Sequence, residues 1–210
     1  MSDRHIPVML DRIVELLTPA CSEQYSERPI IVDGTLGLGG HSEAILQRIP
    51  NACVIGLDRD TQALALATDR LAPFGDRFLG IHTEYHHIAD VIAASEHPLC
   101  QQAQRLGING ALYDLGVSSM QLDDDERGFS YSRNAPLDMR MDATTGITAA
   151  DILNTYDAHD LAYVLRAYGD EKFASRIANA IVKERASTPF CESQQLVDLL
   201  YRVIPAGARR

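Results

Sequence analysis

Two stretches of the chain hold residue types from which a ligand site can be built. In IIVDGTLGLGGHSEA (residues 30–44) an apolar run ends at Asp33 and passes into a turn rich in glycine. Gly37, Gly39 and Gly40 let backbone come close to a ligand where any Cβ would collide. In LYDLGVSSMQLDDDERGFS (112–130) a second apolar run ends at Asp114, turns through Gly116, Ser118 and Ser119, and then carries four consecutive acids, Asp123 to Glu126. Contiguous acids do not make a calcium loop, which needs alternating ligands, a central glycine and a glutamate at its twelfth position. They read instead as loop caps and ion-pair partners for Arg127 and Arg133, holding Phe129 inward. The single acid ahead of them, Asp114, is the better candidate for chemistry.

The elements that would position these residues follow from the hydrophobic pattern. Strands are expected over 29–34, 52–58, 77–82 and 108–116. Helices are expected over 7–17, 40–49, 61–71 with Asp60 as cap, and 85–106 with a break near His97-Pro98. Strands alternating with helices of this length predict βαβ units and a parallel sheet. After residue 116 a polar loop runs to about 147, followed by helices over 148–155, 157–168, 170–187 and 192–203. Phe173, Ile177, Ala180 and Ile181 should form the inward face of the third of these.

The glycine turn argues about the ligand. A dinucleotide fingerprint starting at Gly37 requires glycine at 42, where Ser42 stands. The pattern D-x-G-x-G-x-G of class I methyltransferases that use S-adenosylmethionine fits from Asp33 through Gly37 and Gly39, with Thr35 in place of one glycine. A cofactor with an ammonium, a sulfonium and no pyrophosphate suits nearby acids. In GLDRD (56–60), Asp58 falls at the end of the second strand, where an acid takes the ribose hydroxyls in this fold. Tyr85, in IHTEYHH after the third strand, is the stacking candidate for the adenine. His82, His86 and His87 share that loop without an evident carboxylate partner and read as surface residues, so no metal is expected.

Composition sets outer bounds. The 210 residues suffice for one good-sized domain or a domain with an appendage. No run approaches the roughly 20 apolar residues of a membrane span, and the charged N-terminus does not read as a signal peptide. Four scattered cysteines without a CxxC pair predict reduced thiols, hence a cytoplasmic protein with no membrane partner. The net charge of −10 is unevenly spread: residues 1–138 hold 10 Lys/Arg against 20 Asp/Glu, and residues 139–210 hold 9 of each. Two regions with different partners are expected.

Four stretches together, VDGTLGLGGHS, LYDLGVSSMQLDDDERGFSY, APLDMRMD and YGDEKFASRIANAIV, closely resemble the bacterial MraW family of ribosomal RNA small subunit methyltransferases. The resemblance runs from His5 to about residue 208. It implies an S-adenosylmethionine-dependent enzyme acting on the exocyclic N4 of a cytosine in 16S rRNA. It also implies a class I methyltransferase (Rossmann-like) sheet over 1–138, with an inserted all-helical RNA-recognition subdomain over 139–210. By resemblance, Gly39, Gly40 and His41 surround the cofactor head group, Asp58 takes the ribose and Tyr85, commonly Phe in the family, the adenine region. Asp114 and Gln121 complete the pocket. Asp114 is also the best placed acceptor for the target amine, and either role explains its position. The family pattern continues past IPAGARR into further strands, so the expected sheet is incomplete, with strand 108–116 at an open edge. A cofactor-binding but inactive fragment is the alternative, and a nicotinamide oxidoreductase a weaker one.

Contacts to 16S rRNA within the small ribosomal subunit should come from the neutral tail, where Lys172, Arg176 and Lys183 fall near one face of the 170–187 helix. A solvated basic face would carry the same residues. PLDMRMD (136–142), with Arg140 between acids, reads as a structural lid or hinge. A homodimer is compatible with the sequence.

Overall fold

The computed structural model describes residues 7–22, 24, 26–117, 128–129 and 133–208, and divides into two compact units, Met1–Gly116 and Val117–Arg210. The first is an α/β unit. Strands β1 (Ile30–Asp33), β2 (Cys53–Asp58), β3 (Phe78–His82) and β4 (Gly110–Leu112) form a parallel sheet in the order β3-β2-β1-β4. This is the order of the first four strands of a Rossmann fold, and it reverses between β1 and β4.

Side chains alternate across the pleat, so both faces are apolar and both are covered. Ile31 and Val54 pack beneath helices α1 (Leu10–Leu17), α2 (Gly40–Arg48) and α3 (Thr61–Leu71), through Val14, Ala44, Ile45, Ala67 and Leu71. Ile30, Val32, Ile55 and Leu57 face the other way, against Leu99, Cys100 and Ala103 of α5 (Pro98–Leu106) and Ile88 and Ile92 of α4 (Ile88–Ala94). Asp60 caps α3 by accepting from the N–H groups of Gln62 and Ala63, as its position predicts.

In this unit a helix and a strand are shorter than their patterns. Helix α1 begins at Leu10 because Pro7 packs on Gly40, where a Cβ would come within 2.5 Å of the proline ring, and Met9 turns into the left-handed region at φ 54°. Strand β4 ends at Leu112 rather than at 116, because the N–H of Asp114 is diverted to Thr35 Oγ1 at 2.6 Å.

The second unit is helical. Helices α6 (Ala149–Thr155), α7 (Ala158–Ala167), α8 (Ala174–Arg185) and α9 (Ser193–Val203) enclose Leu153, Leu161, Ile177, Ile181, Phe190 and Leu199. Thr148 and Asp151 make a capping box at the start of α6. Arg185 donates to the carbonyls of Leu153 and Tyr156 at its end. Residues 133–138, which the sequence reading grouped with the first region, are tied to this unit. Pro136 bridges Glu192, Leu137 N–H donates to Cys191 O, and Ser193 N–H to Ala135 O. Arg140 is paired with Asp138 at 2.7 Å. The helix expected over 170–187 starts only at Ala174, since Asp170 adopts φ 48° and the Glu171 N–H returns to Leu165 O.

All four cysteines are free thiols. Among the described residues no helix is long and apolar enough to cross a membrane.

Candidate active site

In a parallel sheet the crevice for a ligand opens at the carboxyl ends of the strands, at the point where the strand order reverses. Here that point lies between β1 and β4. Asp33 ends β1, Asp114 follows β4, and the register that sets Asp33 beside Leu112 brings these ends together. Asp58 ends the next strand over.

The turn 34–40 is braced from below. Asp33 is buried and accepts from Ser42 Oγ at 2.7 Å and Thr35 N–H at 3.3 Å. Its carboxylate therefore shapes the turn, and burial pushes its pKa up, with the Ser42 bond opposing that shift. Leu36 N–H donates to Leu57 O, and Arg70, ion-paired with Glu43 at 2.5 Å, donates to Leu38 O. Gly37 and Gly39 hold φ of +52° and +75°, which L side chains rarely adopt. The space where a Gly37 Cβ would sit meets nothing nearer than Thr35 O at 3.9 Å, so this part of the turn offers bare backbone to a ligand.

Asp58 faces the same turn. Its Oδ2 accepts from Gly37 N–H at 2.7 Å and its Oδ1 from Asp60 N–H at 2.8 Å. Each oxygen keeps a lone pair for an incoming hydroxyl. Burial raises its pKa, while the backbone bonds from Asp60 and Gly37 pull the other way.

His41 is buried at the start of α2, and its Nε2 lies 3.0 Å from Val8 O. A carbonyl only accepts, so Nε2 carries a proton toward Val8 O, and this fixes the ring with Nδ1 on the side of Asp114. That Nδ1 stands 4.0 Å from Asp114 Oδ2. A ring nitrogen and a carboxylate oxygen thus converge beside the bare turn, and the carboxylate can accept from an incoming N–H group.

Tyr85 lies just beyond β3, exposed, with its ring edge-on to Tyr113 at 5.6 Å between centroids. Sequence reasoning passed over Tyr113, whose ring covers Gly34 so closely that a Cβ there would fall 2.2 Å from Cε1. Its position beside Asp114 at the end of a strand was the available signal. Thr35 was counted as a departure from a glycine pattern, yet its hydroxyl anchors the Asp114 backbone. The histidines after β3 do have carboxylates beside them, His86 near Glu84 at 3.3 Å and His87 near Asp90 at 3.9 Å, as separate exposed pairs. In the helical unit Asp157, His159 and Asp160 cluster at the start of α7, where Asp157 is engaged as the helix cap by the Asp160 N–H. Gln121, Ser118, Ser119, the acids 123–126 and Arg127 lie outside the described residues.

A family model described as the MraW methylase family matches residues 2–210. The chain belongs to the MraW family. Two MraW relatives named Ribosomal RNA small subunit methyltransferase H are similar over nearly all of it. That of Corynebacterium diphtheriae is 56% identical over 209 residues, and that of Nocardioides sp. 57% over 209 residues. In both cases the match covers 98% of this chain and 61% of the relative. The chain therefore spans about three-fifths of the length of these MraW relatives. A solved structure titled as an rRNA methylase from Streptococcus thermophilus is 23% identical, covering 69% of this chain and 78% of that one at a TM-score of 0.34. That likeness is too loose to add to the MraW family match.

The site's chemistry fits the methyl donor that the word methylase implies. Carboxylates at the ends of β2 and β4 oppose a pyrophosphate and favour a cationic ligand, while Arg70 is already engaged by Glu43. Asp58, the bare glycine turn and the Tyr85 ring stand at neighbouring strand ends.

Proposed function

We propose that this chain holds the cofactor-binding and catalytic core, with an RNA-recognition unit, of an S-adenosylmethionine-dependent enzyme that methylates the exocyclic N4 of a cytosine in 16S rRNA. Its setting would be the small ribosomal subunit in the cytoplasm. The relatives' names support the substrate class. The observation that carries the chemistry is the convergence of His41 Nδ1 and Asp114 Oδ2, 4.0 Å apart, at the switch point.

S-adenosylmethionine, when bound, supplies an electrophilic methyl group on a positively charged sulfur. Gly37, Gly39, Gly40 and His41 would hold its amino-acid portion, Asp58 its ribose and Tyr85 its adenine, with Gln121 completing the pocket. The lone pair of a cytosine N4 is delocalised into the ring, so the amine is a poor nucleophile until it pyramidalises. Asp114 accepts a hydrogen bond from that amine, which favours the tetrahedral form, and takes the proton that the nitrogen sheds once the new N–C bond has formed. The Thr35 hydroxyl fixes the Asp114 backbone for this role. His41, its ring held by the bond from Nε2 to Val8 O, stands 4.0 Å from the Asp114 carboxylate and would border the place of the amine.

A base must leave its stack to reach such a site, which suits an unpaired RNA segment. Isothermal calorimetry with S-adenosylmethionine and with NAD tests the cofactor reading. Heat of binding with the first alone supports it, and binding of NAD alone contradicts it.

A further inference from the structure

Tyr168 is 81% exposed and Tyr163 58%, and the two rings stand edge to face with centroids 6.3 Å apart on helix α7 and its C-terminal cap. Neither ring belongs to the core cluster of the helical unit, which is built from Leu161, Ala162, Leu165 and their neighbours. Tyr163 lines a cavity of about 300 Å³ in the groove between α7 and α8. Ala158 and Ala162 of α7 complete its apolar side, and Arg166 and His159 from α7 with Ser175 and Asn179 from α8 line the rest.

These walls are held in place. Arg166 Nη2 donates to Ser175 Oγ at 3.0 Å, and Asn179 Nδ2 donates to Ser175 O at 2.7 Å. The amide oxygen and second N–H of Asn179 stay available to an edge with both donors and acceptors. Lys172, just before α8, and Arg176 and Lys183 on it are all exposed. Among the described residues none of these three is held in an ion pair. An aromatic face, a planar guanidinium, a side-chain amide and unpaired cations form the set that grips single-stranded RNA. Bases stack on the rings while cations follow the phosphates.

We infer that the α7–α8 groove is a nucleobase-stacking site for unpaired RNA, with Tyr163 as the platform inside the groove and Tyr168 the platform at its rim. Its ligand is one or two splayed bases of a single strand, their phosphates met by Lys172 and Arg176. The inference rests on the rRNA reading above and adds the residues that would grip the strand.

The chain contains no tryptophan and eight tyrosines, so tyrosine emission can be followed without tryptophan, and the part lost in the Tyr163 and Tyr168 variants reports on stacking. The test titrates the full chain with a short single-stranded RNA and with a duplex of the same sequence, following tyrosine quenching and the anisotropy of labelled RNA. The single strand is expected to quench and bind more tightly than the duplex. Tyr163→Ala and Tyr168→Ala should each weaken it by about 5- to 150-fold, and the Phe variants should retain most of the affinity. S-adenosylmethionine affinity of the same variants, and their melting temperatures, should stay at the parent value, which separates lost stacking from lost folding. Parent-level RNA affinity in both Ala variants overturns the inference while leaving the methyltransferase reading intact. Equal loss in the Phe and Ala variants, or tighter binding of duplex, also overturns it. No RNA binding by the parent chain overturns the inference, while the rRNA reading is decided separately by methyl transfer to small subunits.

Discussion

His41 Nδ1 and Asp114 Oδ2 stand 4.0 Å apart, although they lie 73 positions apart in the chain, and the bond from His41 Nε2 to Val8 O holds the ring with Nδ1 facing the carboxylate. The relationship predicts that acceptor character, more than shape, is what Asp114 contributes. Asp114→Asn keeps the size of the side chain and its backbone bond to Thr35, and replaces one acceptor oxygen with a donor. Methyl transfer should fall by about 100-fold or more in kcat, with cofactor affinity changed far less. A kcat within a few-fold of the parent would remove Asp114 from the chemistry. Thr35→Val, which deletes the hydroxyl at 2.6 Å from the Asp114 nitrogen, should lower both kcat and stability, the latter by about 1 kcal/mol.

Gly34 and Tyr113 should be energetically coupled. A Cβ at Gly34 meets the Tyr113 ring at 2.2 Å, and the ring contacts Tyr85. Gly34→Ala should cost about 1–3 kcal/mol and weaken cofactor binding by displacing the ring. In a Tyr113→Ala background the same change should cost little. A coupling energy near zero in this double-mutant cycle would contradict the packing described.

Asp33 sets a pH dependence of stability. Burial raises its folded-state pKa above the unfolded value of about 3.9. The folded chain therefore binds this proton more tightly than the unfolded chain does. The group's contribution is most favourable below the unfolded pKa and declines as pH rises from about 4 through the raised folded value. Asp33→Asn retains an oxygen for the Thr35 N–H and lets Ser42 Oγ turn to accept. Melting temperature followed from pH 4 to 8 should decline less for this variant than for the parent. Identical slopes would show that Asp33 does not carry the effect.

The exposed cations of the helical unit should act through phosphates. Lys172→Gln, Arg176→Gln and Lys183→Gln should each weaken RNA binding across sequences. Each should also reduce the salt slope, log K against log salt, by about 0.7 for single strands. An unchanged slope in all three would leave these residues as a solvated face.

How far the site was readable depended on the range of the contacts involved. Asp60 as a helix cap and the Gly37–Gly40 turn are local patterns, and β1 through β3 follow short apolar runs, so each could be read within one window. The approach of His41 to Asp114 was not readable, because it depends on β4 crossing to the far side of β1. The ring of Tyr113 over Gly34 depends on the same crossing. Lys172 was expected on a helix with Arg176, but the left-handed Asp170 and the return of Glu171 N–H to Leu165 O hold it in the preceding turn. The segment 133–138 looks like a loop after the first unit, and only its pairing with 191–193 assigns it to the second.

The most direct test of the account is to incubate this chain with isotopically labelled S-adenosylmethionine and small ribosomal subunits that lack the modification, then to map the label by mass spectrometry of rRNA nucleosides. The account predicts a single methyl group on the exocyclic nitrogen of a 16S cytosine, abolished by Asp114→Asn. Cofactor binding without incorporation, or a methyl group on any other atom, would contradict it.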